Sequence, residues 1–326
     1  MLLSNLITVA TTLITSATAK NILLTNDDGW AATNIRALYR DLRAEGHNVV
    51  MVAPAVQMSG NGGKIQLPQD TNLPQDALFD YPPAGSPSWG HEVDDMNVWY
   101  FNGTPAACVM AGLDYIIPNY FNNMTIDLVL SGPNEGDNMG ERDFVLSGTV
   151  GSIYYAIERG YPGIALSGAN GNNSFFKDNL SDDPTQAPNI NSRKTVELVN
   201  AIFDKQGDNP RALPFSTGLN VNFSPIGSDI TTATTQCDDL TFIQTRMTGS
   251  NAQVYEIVYN STTNLVSSTS ILSEAVENCL AGDCSLPSDF VVTDACYASI
   301  TVFSIDADVS STLGGDILSK FDSIIS

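Results

Sequence analysis

Histidine is almost missing from this 326-residue chain, which has only His47 and His91. No RHG triplet occurs, so a histidine acid phosphatase is excluded. Two imidazoles cannot furnish a binuclear metal centre built on several His ligands, and both read as surface residues rather than catalysts. There is no P-loop, and Asn26-Asp27-Asp28-Gly29-Trp30 lacks the D-x-D spacing of a covalent aspartyl phosphatase. Positive charge is scarce too. The 14 Lys and Arg stand against 36 Asp and Glu, a net charge of −22. Such a surface repels nucleic-acid polymers and anionic membranes, which argues against both as partners. It would also repel a small anion, unless a bound divalent cation reversed the local field. Beyond the N-terminus no stretch approaches the roughly 18 apolar residues needed to span a bilayer.

Cysteine is sparse and unevenly placed. Cys237, Cys279, Cys284 and Cys296 crowd the last third and suggest two disulfides there, of open connectivity. Cys108 falls in an apolar helix and reads as a free, buried thiol. Residues 1–19 hold no charge before Lys20, an apolar run, and the small-residue site Ala17-Thr18-Ala19. They read as a signal peptide cleaved near Ala19, with a short hydrophobic helix as the alternative. The mature protein is then expected outside the cell or in its wall. N-x-S/T sequons at Asn102, Asn123, Asn172, Asn179, Asn222 and Asn260 agree with export. Asn102 and Asn222 lie in strand-like, buried contexts and read as chance matches.

With 43% hydrophobic residues the chain can bury a sizeable core. From Asn21 onward short apolar runs alternate with helical patterns, the signature of a parallel α/β sheet. Strands are expected at 22–25, 49–53, 98–101, 126–130 and 163–167. Helices are expected from Thr33 or Asn34 to Gly46, at 105–116 and at 148–159. The Pro/Gly/Asp-rich stretch 66–96 has no periodicity and reads as an excursion loop. Past a polar loop at 170–190 come a helix near 192–205 and strand-like segments near 217–223, 241–247, 253–259 and 298–304. A final amphipathic helix near 311–323 presents Leu313, Ile317, Leu318 and Phe321. The expected fold is therefore a Rossmann-like three-layer αβα sandwich with a mostly parallel sheet. Its core covers 21–223, and a β-rich extension with a terminal helix covers 224–326.

Ligands of open α/β sheets bind beyond the carboxyl ends of the strands. The segments found there are Asn26-Asp27-Asp28-Gly29, Ser59-Gly60-Asn61-Gly62, Asn102-Gly103-Thr104-Pro105 and Ser131-Gly132-Pro133-Asn134-Glu135-Gly136-Asp137-Asn138. All offer small residues and oxygen donors, the ligands of a hard cation. Two adjacent carboxylates repel each other unless a cation lies between them. Taken alone, Asp27-Asp28 would more often be an acidic turn capping the next helix. Ser147-Gly148-Thr149-Val150 opens a helix whose free N–H groups suit a phosphate, although Ser147 alone reads first as an N-cap.

In order and spacing these motifs resemble the SurE family of metal-dependent phosphatases and nucleotidases. The resemblance rests on NDDG at 26–29, AP-x4-SG at 53–60, GTP at 103–105, SGPNEGDN at 131–138 and SGTV at 147–150. It covers most of 21–168, with weaker echoes at 219–223 and 293–301. It implies one divalent cation per subunit, Mg²⁺ or Mn²⁺, on Asp27, Asp28, Ser59 and Asn134. It also implies a phosphate beside Ser147, Gly148 and Thr149, with Asn26 and Asn138 lining the pocket. Asp27 or Asp28 would orient the attacking water, and the substrate would be a small phosphate monoester. Such relatives pair through C-terminal segments, so a homodimer is compatible with the apolar stripe of 313–321. Two departures stand out: Ala55-Val56-Gln57-Met58 replaces polar and basic residues, and Ala106-Ala107 follows the GTP motif. The first departure, with the 66–96 segment, motivates the alternative of a secreted ligand- or metal-binding protein without turnover. Trp30 and Trp89 could stack on a nucleobase, but more often such residues pack on their own loops.

Overall fold

A computed structural model describes residues 19–230, 239–248, 253–272, 282–293 and 295–310, with Cys279 and a few isolated positions near the C-terminus. The first half is built from short runs of buried aliphatic residues. These form β1 (Asn21–Thr25), β2 (Asn48–Pro54), β4 (Val98–Phe101), β5 (Leu128–Asn134), β6 (Gly163–Ser167) and β7 (Thr217–Phe223). A short β3 (Trp89–His91) ends the 66–96 excursion and pairs antiparallel with β4. Later come β8 (Thr241–Thr245), β9 (Gln253–Asn260), β10 (Leu265–Leu272) and β11 (Tyr297–Ser304). The main sheet has nine strands in the order β3-β4-β2-β1-β5-β6-β7-β11-β8, while β9 and β10 form a separate antiparallel hairpin. Strands β4 through β7 are all mutually parallel, and β11 runs antiparallel to β7. The expected C-terminal extension thus adds β11 and β8 to the main sheet.

Helices cover both faces, because each sheet face is apolar and must be shielded from water. On one face α1 (Thr33–Ala44) and α7 (Ala187–Gln206) pack Ile35, Leu38, Leu42, Ile190 and Val199 onto Ile22, Leu24, Met51 and Leu130. On the other, α2 (Pro105–Ala111) and α5 (Gly148–Glu158) pack Cys108, Val109, Val150 and Ile153 onto Leu23, Val52 and Val129. The helical path after α2 continues through a wide turn at Gly112–Ile116 into α3 (Ile117–Tyr120). Short helices α4 (Gly140–Leu146), α6 (Phe176–Asn179) and α8 (Asp289–Val292), with a single 3-10 turn at Leu78–Asp80, complete the described elements. The described helices include none long and apolar enough to cross a membrane.

Several expectations need correcting or locating. His47 is buried, 6% exposed, with its ring bonded to Asn200 Oδ1 at 3.2 Å and packed beside Phe203, so it is not a surface residue. His91 is exposed. Trp30 is 2% exposed, stacks on Tyr81 and donates to the Tyr81 carbonyl at 2.8 Å, which leaves no face for a nucleobase. Trp89 packs on Trp99 and Tyr115. Cys108 is a free buried thiol, Cys279 and Cys284 are bonded, and Cys296 is also disulfide-bonded. Cys237, the segment 1–18 and most of 311–323, including Leu313, Leu318 and Phe321, lie outside the described residues. Asn222 is fully buried in β7 and Asn102 half-buried after β4, whereas Asn123, Asn172, Asn179 and Asn260 are exposed.

Candidate metal centre

The carboxyl ends of β1 and β5 are adjacent because Thr25 and Ser131 are register partners. The chain leaves β1 through Asn26, whose carboxamide closes a tight turn by bonding Gly29 twice, at 3.0 and 3.2 Å. That turn drives Asp27 and Asp28 inward, and both are 1% exposed. Asp27 faces the start of α5. Thr149 grips it with both donors: its hydroxyl gives to Oδ1 at 2.7 Å and its N–H to Oδ2 at 3.1 Å. The Gly148 N–H faces the same carboxylate. Gly148 eases this approach, since a Cβ there would stand only 3.0 Å from Asp27 Cβ and Oδ2. Ser147 caps the helix, its Oγ accepting from Val150 N–H at 3.2 Å. The Thr149, Val150 and Gly151 amides of α5 are therefore engaged. Asp27 lies at the helix end where the sequence places a phosphate.

Asp28 points to β5. Its Oδ2 accepts the Glu135 N–H at 2.9 Å, while its Oδ1 is buried without a partner. Asn134 is in the same state: Nδ2 donates to the Gly136 carbonyl at 3.0 Å, and Oδ1 is buried without a partner. No salt bridge among the described residues reaches either aspartate. Burial pushes the Asp27 carboxyl above its usual range against the pull of the Thr149 bonds. Burial pushes Asp28 well above it, helped by the nearby Asp27 and Glu135 charges. Buried acceptors without donors, beside two carboxyls that resist ionising together, fit a hard cation, which would satisfy oxygen atoms and charge at once. The donor set differs from a His/Cys/carboxylate cage. No group of three or more such residues able to hold a metal occurs among the described residues.

Residues 22–251 match the family model described as "Survival protein SurE". The chain belongs to the SurE family. An acid phosphatase of Yarrowia lipolytica is 43% identical over 297 residues, 90% of this chain and 82% of that protein. A protein named 5'-nucleotidase SurE from Lawsonia intracellularis is 37% identical over 147 residues, 45% of this chain and 50% of its own length. The crystal structure of a SurE protein from Aquifex aeolicus matches with a TM-score of 0.60 at 22% identity, covering 93% of this chain and 98% of the other. That last likeness speaks for the fold.

Within this SurE fold, Asp27, Asp28 and Asn134 come together as the sequence suggested. Ser59 is carried to the rim by Met58, whose N–H donates to the Asp27 carbonyl at 2.7 Å. Its side chain is exposed, with Oγ accepting from Gln57 Nε2 at 2.7 Å. The loop that carries it lies directly on α5. A Cβ on Gly151 would fall 2.1 Å from the Gly62 backbone, so only glycine admits the contact. Asn138 ties the loop to its neighbours. Its Nδ2 donates to Ser167 Oγ at 2.7 Å, its N–H to Asn222 Oδ1 at 2.7 Å, and its carbonyl accepts from Asn220 at 2.8 Å. Sequence reasoning missed Asn173, whose Nδ2 donates to the Asp28 carbonyl at 3.0 Å. It also missed the buried Asp289, which accepts the Gly140 N–H at 3.2 Å. Neither stands in a motif. Asn173 lies in a polar loop without period, and Asp289 only precedes the faint TDACYASIT echo.

Proposed function

We propose that this SurE protein is a secreted, metal-dependent phosphomonoesterase of broad acid-phosphatase or 5'-nucleotidase type. Names of relatives and family membership support phosphoric monoester hydrolysis. The observation that carries the metal dependence is the pair of buried, partnerless acceptors, Asp28 Oδ1 and Asn134 Oδ1. Asp27, Asp28 and Asn134 would hold the ion, with Ser59 reaching it from the rim; Mg²⁺ or Mn²⁺ suits the oxygen donors. When bound, the ion supplies the positive charge that a phosphate needs in a chain of net charge −22, and it favours ionisation of an attacking water.

The protein's own groups do the rest. Thr149 and the start of α5 fix Asp27, the Glu135 amide fixes Asp28, and the Asn26 turn carries both residues off the end of β1. Ser147 Oγ accepts from Val150 and keeps its own proton to give to a phosphate oxygen. Asp27 or Asp28 would orient the attacking water, whose proton passes to the leaving alcohol as the new P–O bond forms and the old one breaks. Export is part of this reading, supported by the character of the N-terminal segment and by exposed sequons at Asn123, Asn172, Asn179 and Asn260. A homodimer belongs to the same reading, and sedimentation velocity tests it. The decisive test is hydrolysis of a generic phosphomonoester with and without chelator, comparing wild type with Asp28→Asn. Loss on chelation, restored by Mg²⁺ or Mn²⁺ and absent in Asp28→Asn, is expected; equal rates throughout reject the reading. The exposed Ser59 and the altered residues 55–58 favour one alternative, a binding protein without turnover, which predicts cation binding with no phosphate released.

A further inference from the structure

The loop from β6 to α6 runs across the ends of β1 and β5 as a strap stitched at both edges. On the β1 side, the Thr33 N–H and hydroxyl both bond the Ser174 carbonyl at 2.9 Å, and Ala32 bridges Phe175. Asn34 and Asn170 exchange carboxamide bonds at 3.0 Å in both directions. On the β5 side, the Gly171 N–H donates to the Glu135 carbonyl at 2.7 Å. Asn173 sits between the two edges. Its Nδ2 donates to the Asp28 carbonyl at 3.0 Å, and its own N–H faces the Glu135 carboxylate. Its Oδ1 is buried and has no donor, as are Asp28 Oδ1 and Asn134 Oδ1.

The amide cannot gain by flipping, since that would set Oδ1 against the Asp28 carbonyl and turn two acceptors on each other. Asn173 Oδ1 therefore remains an acceptor in need of a donor. A hard cation on oxygen ligands keeps waters whose O–H groups point outward. We infer that Asn173 is an outer-sphere residue of the cation centre, holding the Asp28 backbone through Nδ2 and accepting from a water of the hydrated cation at Oδ1. The inference rests on the cation reading above, and it adds a positioning residue that no motif contains.

Calorimetric titration of the chelator-treated full chain with Mn²⁺ tests it, comparing wild type, Asn173→Ala and Asn173→Asp, the last also paired with Glu135→Gln so that the local charge is unchanged, because salt screens a buried charge poorly. Both variants lose the bond to the Asp28 carbonyl, but the aspartate keeps an acceptor in place. Asn173→Ala is expected to weaken Mn²⁺ binding about 10-fold or more, the usual effect of removing an outer-shell partner, and Asn173→Asp to recover most of that loss. Equal weakening in both variants would mean a merely structural loop residue, and unchanged affinity in Asn173→Ala would remove it from the centre altogether. A wild-type chain that takes up no Mn²⁺ overturns the cation reading itself and this inference with it.

Discussion

Thr149→Val isolates the contact on which the orientation of Asp27 depends. Valine keeps the shape and the backbone N–H but removes the hydroxyl that gives to Asp27 Oδ1 at 2.7 Å between two buried residues. A hydrogen bond to a charged group contributes about 1.5–3 kcal/mol, or roughly 10-fold to 150-fold in an equilibrium or rate constant. Because the hydroxyl serves Asp27 and not the substrate, the loss should appear as a higher Mn²⁺ concentration for half-maximal activity and a lower kcat/KM. KM for the phosphomonoester at saturating metal should hardly move. Steady-state rates over a grid of metal and substrate concentrations separate these effects, and Thr149→Ser should restore most of the loss. A raised substrate KM with an unaltered metal dependence would refute the reasoning and return Thr149 to the phosphate.

Two further outcomes can be measured on stability. In the chelated protein, burial holds the Asp27 and Asp28 carboxyls above their ordinary 3.8, so the unfolded state ionises first. Stability is then fully present below that value and is lost as pH rises; melting curves should fall toward neutrality in chelator and flatten with Mn²⁺. Asp289, which burial raises from 3.8 to about 7, adds a fall across that interval that metal leaves unchanged and Asp289→Asn removes. Gly151→Ala should destabilise the fold by about 1–3 kcal/mol in denaturant titration, since its methyl meets the Gly62 backbone rather than a side chain that could swing away. An unchanged midpoint would mean that the loop carrying Ser59 does not rest on α5.

The strand ends were legible because β1, β4, β6 and β7 are compact runs of buried residues bounded by turn formers, so the place where ligands gather could be read directly. Other elements gave weaker signals. β5 runs on through Gly132 and Pro133 to Asn134, residues that read as loop, because β6 offers Ser167 as a partner across an irregular register. α4 went unseen because GERDFVL has no apolar stripe and only Ser147 parts it from α5. The helix α7 starts at Ala187-Pro188, earlier than expected, with Pro in the first turn where its missing N–H costs nothing. β10 is masked by its serines and threonines, which pair with β9 in a hairpin rather than with the sheet. At the site, what each loop supplies was visible, but the partner of each donor was not. Thr149 could be placed at a helix mouth, yet nothing in its neighbours says that its two donors turn back onto Asp27. On its β1 side the strap around Asn173 is held by bonds between residues more than a hundred positions apart, which leave no local pattern.

The occupied mouth of α5 bears on how turnover ends. Liberated orthophosphate meets no nest of idle amides, because an internal carboxylate already sits in that dipole. On the proposed mechanism its grip would come from the metal and the Ser147 hydroxyl, so product inhibition should rise and fall with metal loading. A scavenger working in a phosphate-rich medium would be throttled by its ion supply before it was choked by what it makes.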